Sequence, residues 1–169
     1  MIVIFLSKRN RPKSDTRITL VSDEDADLAQ LSCFCIGTNG KYAGFVTGHG
    51  RANQKIRYIH RIVMERILGR PLEKNELVDH INGNRYDNQR DNLRVATARQ
   101  NVMNRKVGKN NTTGYKGVTW NKRRQMFRAD IKFEGHSRTI GYFDTALEAH
   151  EAYCEKAKEL FGEFWSNGR

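Results

Sequence analysis

The sequence predicts an α+β fold built from two small units. Short apolar runs alternate with turn-forming Asn-Gly and Gly residues, as in strands joined by hairpins, and two longer stretches repeat apolar residues with helical spacing. A chain of 169 residues with 38% apolar content has room for small cores only, which excludes a large barrel. The mean hydropathy of -0.74 excludes an integral membrane protein, and we expect a soluble protein in the cytoplasm.

Residues 1–55 form a predicted strand-rich segment joined to the unit that follows. Asn39-Gly40 supplies the positive backbone dihedrals of a hairpin turn at 37–40. The predicted elements are strands at 18–21, 32–36 and 42–46, a strand or a frayed terminus at 1–6, and a short acidic helix or turn at 22–31.

Residues 56–104 predict the order helix, strand, turn, strand, helix. Apolar residues recur with helical spacing from Tyr58, and Gly69 marks the stop. Thr97 and Gln100 form a predicted capping box for the last helix. The predicted elements are a helix from 58, strands at 77–80 and 92–95 around a turn at 82–84, and a helix from 97.

A basic linker is predicted at 105–113, where turn formers replace apolar periodicity. Residues 114–165 then predict a three-stranded antiparallel sheet packed on one helix. Apolar and charged residues alternate along 126–133, so one face of the sheet is apolar and the other charged. The predicted elements are strands at 116–120, 126–133 and 137–143, and a helix from a capping box at Thr145 to Gly162.

The charge of the chain points to nucleic acid. Lys and Arg number 30 against 19 Asp and Glu, a net charge of +11, and the excess lies within residues 51–150. Between Arg99 and Arg138 eleven basic side chains face only Asp130 and Glu134, a density typical of a surface that neutralises phosphates. A merely solvated basic face is the alternative.

Four polar residues form a candidate catalytic constellation. Asp79 and His80 face Asn92 across the predicted turn, and Asn101 follows in the next helix. Carboxylate and amide oxygens ligate a hard cation such as Mg²⁺, while a neutral imidazole accepts a proton from water near pH 7. Adjacent strand residues point to opposite faces, so the strand is expected to end or bend at His80.

These residues resemble an HNH endonuclease of the phage and homing type, which has a ββα-metal motif. The resemblance rests on His60, Val78–Asn84, Asp87-Asn88, Asn92–Arg94 and Gln100-Asn101. It implies His80 as the general base, Asp79 and Asn101 as metal ligands, and Asn92 as the residue that orients the base or braces the motif. His60 matches the upstream His-Arg pair of the family, and its role stays open between catalysis, core packing and a contact to the DNA backbone.

The resemblance also implies the cofactor and the partner. One divalent ion, Mg²⁺ or Mn²⁺, would serve each active site in hydrolysing double-stranded DNA to a 5′ phosphate and a 3′ hydroxyl. Arg94 and Arg99 would contact phosphates or remain ordinary solvated arginines. No obligate protein partner is evident, and the expected setting is a bacterial or phage-infected cell.

The segment from Asn111 to Phe164 resembles the AP2 DNA-binding domain. The resemblance rests on Gly114–Val118, Arg128–Ile131 and Ile140–Thr145. It implies a sheet laid in the major groove, although Thr119, Asn121 and Thr139 replace arginine or tryptophan of the family pattern, so the DNA target does not transfer. The expected DNA-facing residues are Asn121, Lys122, Arg123, Arg128, Lys132 and Thr139.

The sequence therefore favours a metal-dependent DNA endonuclease, phage-encoded or of homing type, targeted by its second unit. The rival hypothesis is a DNA-binding regulator whose ββα unit is a scaffold and needs no metal. A basic structural protein or RNA binder would explain the charge but not the constellation of Asp79, His80 and Asn101.

Overall fold

A computed structural model shows two compact units, Met1–Ala98 and Arg99–Arg169. The predicted linker at 105–113 lies within the second of them. The turn predicted at 37–40 lies outside the described residues. The structure describes residues 1–6, 17–31, 34–36, 42–47, 55–108 and 110–168.

The strands of the first unit follow the predicted pattern with two additions. The strand at Lys55–Tyr58 replaces the predicted start of the helix, and a two-residue strand at Asp87–Asn88 was not predicted. The strands are β1 (Ile2–Phe5), β2 (Ile18–Val21), β3 (Phe34–Ile36), β4 (Tyr42–Thr47), β5 (Lys55–Tyr58), β6 (Leu77–His80), β7 (Asp87–Asn88) and β8 (Leu93–Ala96).

These strands form three small sheets. β2 lies between antiparallel β1 and parallel β7, with Leu20 opposite Asp87 and Val21 opposite Asn88. The second sheet has the antiparallel order β3-β4-β5, and β6 and β8 form an antiparallel pair. The parallel pair matters most for the site, because it joins the N-terminal segment to the loop of the β6–β8 hairpin.

A helix, α1 (Ile59–Leu68), supplies one side of the core of the first unit. It ends at Gly69, whose φ of +66° is the left-handed conformation that glycine adopts without strain. Ile59, Val63 and Met64 are buried against residues of the sheets. The buried core consists of Ile4, Leu6, Val21, Leu28, Ala43, Ile59, Val63, Met64 and Leu93.

A buried carboxylate ties three segments of the first unit together. Asp25 lies at a kink in the 3₁₀ segment Asp23–Gln30, where its backbone angles are non-helical, and it is fully buried. Arg66 of α1 and Arg90 of a second 3₁₀ turn bind it at 2.9 and 2.8 Å. Two guanidinium partners compensate the loss of hydration, and they hold the pKa of Asp25 below its usual value against the opposing effect of burial.

The second unit contains the predicted sheet and helix. Strand β10 lies between β9 and β11, and both pairs are antiparallel. Both hydrogen bonds of the capping box of α3 are present, between Thr145 and Glu148. The elements are α2 (Ala98–Met103), β9 (Val118–Asn121), β10 (Met126–Phe133), β11 (His136–Phe143) and α3 (Ala146–Phe161).

The alternation predicted along β10 decides which face of the sheet α3 covers. Ala129 and Ile131 are buried and pack with residues of α3, whereas Lys132 is exposed on the opposite face. None of the described helices combines the length and the apolar character that crossing a membrane requires.

Candidate active site

The β6–β8 hairpin positions the first candidate residues. Asp79 lies opposite Arg94 and His80 lies opposite Leu93 in the antiparallel register. β6 ends at His80, as predicted, and Gly83 turns the chain with a φ of +69°. The two neighbouring side chains have different partners: Asp79 is hydrogen-bonded to Arg94, and His80 is hydrogen-bonded to Asn88.

Asn92 braces the hairpin loop. Its side-chain oxygen accepts the backbone N–H of Asn82 at 3.0 Å, and its amide donates to the carbonyl of Asp87 at 2.7 Å. The side chain of Asn82 in turn donates to the Asp87 carboxylate at 2.8 Å. These bonds occupy a backbone donor and a backbone acceptor of the hairpin loop. They favour bracing over orienting the base as the role of Asn92.

The orienting contact to His80 comes from Asn88 instead. Nε2 of His80 is hydrogen-bonded to Oδ1 of Asn88 at 3.0 Å, and both side chains are buried. The amide of Asn88 donates to Oγ1 of Thr19 at 2.6 Å. Sequence reasoning missed Asn88 and Thr19 as functional candidates. Asn88 lies within the nuclease motif, but no local pattern connects the N-terminal segment to it.

Arg94 forms a salt bridge with Asp79. Nε and Nη2 of Arg94 donate to Oδ2 of Asp79 at 2.9 and 2.8 Å, and the two side chains are 10% and 5% exposed. A pair this enclosed is screened little by solvent, so the guanidinium neutralises the carboxylate. Arg94 thus acts within the hairpin in this structure, where the sequence predicted a phosphate contact or a solvated side chain.

His60 lies beside the candidate base in an aromatic cluster. Its ring centroid is 5.0 Å from that of Tyr42, 5.5 Å from that of Tyr58 and 5.5 Å from that of His80. The side chain is 9% exposed, and among the described residues its Nδ1 has no hydrogen-bond partner. Burial, with smaller contributions from His80 and Arg61, lowers the pKa of His60 to about 3.

Burial also favours the neutral form of His80. Burial lowers its pKa, and the hydrogen bond to Asn88 and the charge of Asp79 only partly oppose this effect. A neutral imidazole can accept a proton, which is the form that a general base requires.

The remaining candidates of the nuclease motif lie on α2 in the second unit. Arg99 is exposed and Asn101 is half-buried. Among the described residues, no three or more His, Cys, Asp or Glu side chains are grouped so that they could hold a metal ion.

The candidates of the second unit lie on one hairpin and on the open face of the sheet. Lys122 and Arg123 are exposed in the β9–β10 turn, where Oδ1 of Asn121 accepts the N–H of Arg124 at 3.0 Å. Lys132 is exposed on β10. Arg124, which sequence reasoning missed, stacks over the ring of Tyr142, with its Cζ 4.2 Å from the ring centroid.

Arg128 and Thr139 share a carboxylate on that face. Nε of Arg128 donates to Oδ2 of Asp130 at 2.7 Å, and Oγ1 of Thr139 donates to Oδ1 at 2.9 Å. The carboxylate raises the pKa of Arg128, which stays charged. The structure thus brings Arg128 and Thr139 together through Asp130.

Comparison with known proteins assigns the class. Residues 57–103 match the family model described as HNH endonuclease. Over 94 residues the chain is 37% identical to Protein 3.8 of Escherichia phage T7, an alignment that covers 56% of this chain and 77% of that protein. The chain belongs to the HNH endonuclease family.

A second relative comes from a giant virus. Over 106 residues the chain is 31% identical to a protein of Acanthamoeba polyphaga mimivirus named as an uncharacterized HNH endonuclease. That alignment covers 63% of this chain and 54% of the relative, so the chain spans about half the length of this relative. No solved structure matches the chain.

Proposed function

We propose that the protein is a metal-dependent endonuclease that hydrolyses phosphodiester bonds of double-stranded DNA, with His80 as its general base. The observation that carries the proposal is the buried hydrogen bond between His80 and Asn88, inside the segment matched to the HNH endonuclease family. A neutral, oriented imidazole at the end of a hairpin is what proton abstraction from water requires.

The residues of the motif fit a hard divalent ion. Mg²⁺ binds one or two carboxylate or amide oxygens and completes its shell with water and phosphate oxygens, so it does not need a cluster of three acidic or imidazole ligands. Asp79 and Asn101 would hold it. When bound, such an ion neutralises charge on the phosphate and the leaving oxygen. Mg²⁺ is the proposed ion, with Mn²⁺ as the substitute, one per active site.

Arg94 has a defined part in this proposal. Two N–H groups of its guanidinium now satisfy the Asp79 carboxylate. An incoming cation and an incoming phosphate would offer exchange partners, because the carboxylate prefers the cation and the guanidinium binds phosphate in bidentate fashion. Arg94 would then move from Asp79 to the substrate.

The second unit is proposed to target the enzyme to DNA in the manner of an AP2-like domain. The open face of its sheet carries Arg128, Lys132 and Thr139, and the adjoining turn carries Lys122 and Arg123. A β-sheet with such a face can read base edges in the major groove while lysines contact phosphates. Tethering raises the local concentration of the nuclease at preferred sites.

Supercoiled plasmid tests the catalytic proposal. Full-length protein is incubated with plasmid and Mg²⁺ or with EDTA, next to His80→Ala and the control His136→Ala, which changes an exposed histidine of β11. Wild type and His136→Ala should nick or linearise DNA only with metal. His80→Ala should shift DNA in a gel without cutting it.

The rival hypothesis predicts a different pattern. A regulator would shift DNA in wild type and in both variants, and none of them would cut in any metal. That result would assign the chain as a non-cleaving DNA-binding protein. Binding is separated from cutting by Lys132→Ala made in the His80→Ala background, which should weaken binding and lower its salt dependence.

A single active site also favours nicking by a monomer. Duplex DNA labelled differently on each strand should show one strand cut in excess. Equal cutting of both strands by a protein shown to be monomeric would exclude this part of the proposal. We further propose that the enzyme is phage-encoded or of homing type and works in the cytoplasm of a bacterial or infected cell, which the phage origin of Protein 3.8 supports.

A further inference from the structure

A chain of buried hydrogen bonds connects the candidate base to the N-terminal segment. Oγ1 of Thr19 donates to the carbonyl oxygen of Tyr86 at 2.7 Å, and the side-chain amide of Asn88 donates to Oγ1 of Thr19 at 2.6 Å. Oδ1 of Asn88 contacts Nε2 of His80 at 3.0 Å. Thr19 and Asn88 are fully buried and His80 is 5% exposed, so these groups satisfy one another inside the protein.

The carbonyl of Tyr86 sets the direction of every bond in this chain. A carbonyl oxygen only accepts, so the single hydroxyl proton of Thr19 is directed to it, and Oγ1 of Thr19 faces Asn88 as an acceptor. The Asn88 atom next to Thr19 must then be the NH₂ group. The reverse amide orientation would leave two acceptors 2.6 Å apart.

The same reasoning identifies the nitrogen of the His80 imidazole that carries the proton. With its NH₂ group directed to Thr19, Asn88 presents only its oxygen to His80. An acceptor at 3.0 Å requires a donor, so Nε2 of His80 carries the proton. In the neutral ring, Nδ1 is then the nitrogen with the lone pair.

We propose that Thr19 and Asn88 are positioning residues that hold His80 as the Nε2–H tautomer, so that Nδ1 is the atom that takes the proton from the attacking water. The inference rests on the proposed function of His80 as general base. One O–H bond of the water breaks and an Nδ1–H bond forms, leaving an imidazolium. The oxygen pair forms the new bond to phosphorus, the bond to the 3′ oxygen breaks with its pair on that oxygen, and solvent protonates it.

The N-terminal segment thereby becomes part of the catalytic unit. Thr19 lies on β2, outside the matched residues 57–103, and reaches Asn88 because β2 pairs in parallel with β7. A hairpin with its helix but without β2 would retain His80 and lose the group that determines which of its nitrogens is basic.

Nitrogen NMR of the histidine ring tests the proton placement directly. Full-length protein labelled with ¹⁵N is examined at a pH where His80 is neutral, and the His80 signals are assigned by their loss in His80→Gln. The wild type should show a protonated Nε2 and an unprotonated Nδ1. A proton on Nδ1 would overturn the proposal. This measurement requires no change at Thr19 or Asn88.

Variants of Thr19 test the positioning role. Thr19→Val keeps the side-chain shape but removes the acceptor for Asn88, so it should give a mixture of His80 tautomers and a kcat lower by about tenfold or more with little change in KM. Thr19→Ser should restore both the tautomer and kcat. Thr47→Val, which removes another hydroxyl donated to a backbone carbonyl, is the control and should behave as wild type.

The outcomes separate this inference from the proposed function. A folded Thr19→Val with the wild-type tautomer and kcat would show that Thr19 does not position His80. If the tautomers are as expected but the wild type fails to cut DNA with Mg²⁺, the placement of the proton on Nε2 is supported. The proposed function and the catalytic role of Nδ1 are then both refuted.

Discussion

Acidification should destabilise the first unit through His60. Burial lowers the pKa of this side chain from 6.5 to about 3, whereas in the unfolded chain it titrates near 6.5. Between these values the unfolded state binds a proton that the folded state does not. The stability contributed by neutral His60 is therefore complete above about pH 6.5 and is lost as the pH falls towards about 3.

The size of this loss in stability follows from the one proton that His60 binds in the unfolded state. Each pH unit inside this window lowers the free energy of unfolding by about 1.4 kcal/mol, so a change from about pH 8 to about pH 4.5 removes about 3 kcal/mol. Domains of this size are stable by about 5–15 kcal/mol, so the loss is easily measured. Asp25, whose pKa is held below 3.8, loses its stabilising charge only at lower pH.

Urea denaturation of the full-length protein, followed by the NMR signals of α1 backbone amides, reports the stability of this unit. His60→Phe keeps an aromatic ring beside Tyr42 and Tyr58 and should lose most of the pH dependence. His80, whose pKa is also lowered, accounts for what remains. His136→Phe, an exposed position, should match the wild type. A wild-type stability that does not change between the two pH values, or a His60→Phe curve parallel to it, would refute the reasoning.

Three further predictions concern stability, each measured as a change in the free energy of unfolding of the unit concerned. Asp25→Asn should cost about 3 kcal/mol or more because two arginines lose the charge of their fully buried partner. Asp27→Asn, at a 59% exposed side chain, should have a much smaller effect, and equal effects would contradict the role given to burial. Gly117→Ala should cost at least about 2 kcal/mol because its φ is +77° and a Cβ would meet a tyrosine ring of α3. Gly135→Ala, with a φ of +84° and nothing within 4 Å of the added Cβ, should cost about 1 kcal/mol. A larger cost for Gly135→Ala than for Gly117→Ala would exclude the steric explanation. Thr145→Ala should cost about 1 kcal/mol through loss of the capping box, and Thr145→Ser should recover most of it.

Much of the local structure was predictable from the sequence. The strand at Ile18–Val21, the strand at Leu77–His80 and the stop at Gly69 lie where the pattern placed them. Each depends on residues within a few positions of one another: an apolar period, a turn former or a cap. Such signals act locally, so they can be recognised without knowing the partner of the segment.

The candidate site was predictable in its residue types but not in its contacts. The motif indicated His80 as the base, which stays a prediction. It also indicated Asn92 as the residue that orients the base or braces the motif. In the structure Asn92 braces the loop, while Asn88 lies against the imidazole. Both are asparagines in the same short stretch, and which of them reaches His80 depends on how the loop closes.

The sequence by itself determined the α+β class, the order of the elements other than β5 and β7, the charged and apolar faces of β10 and the family to which the nuclease motif belongs. Only the tertiary structure decided that β2 lies beside β7, that Thr19 therefore orients Asn88, and that Arg94 lies on Asp79. The physical reason is that propensity and periodicity act over a few residues. Pairing between segments nearly seventy residues apart is selected by burial and by the need to satisfy buried polar groups, which exist only once the chain has folded.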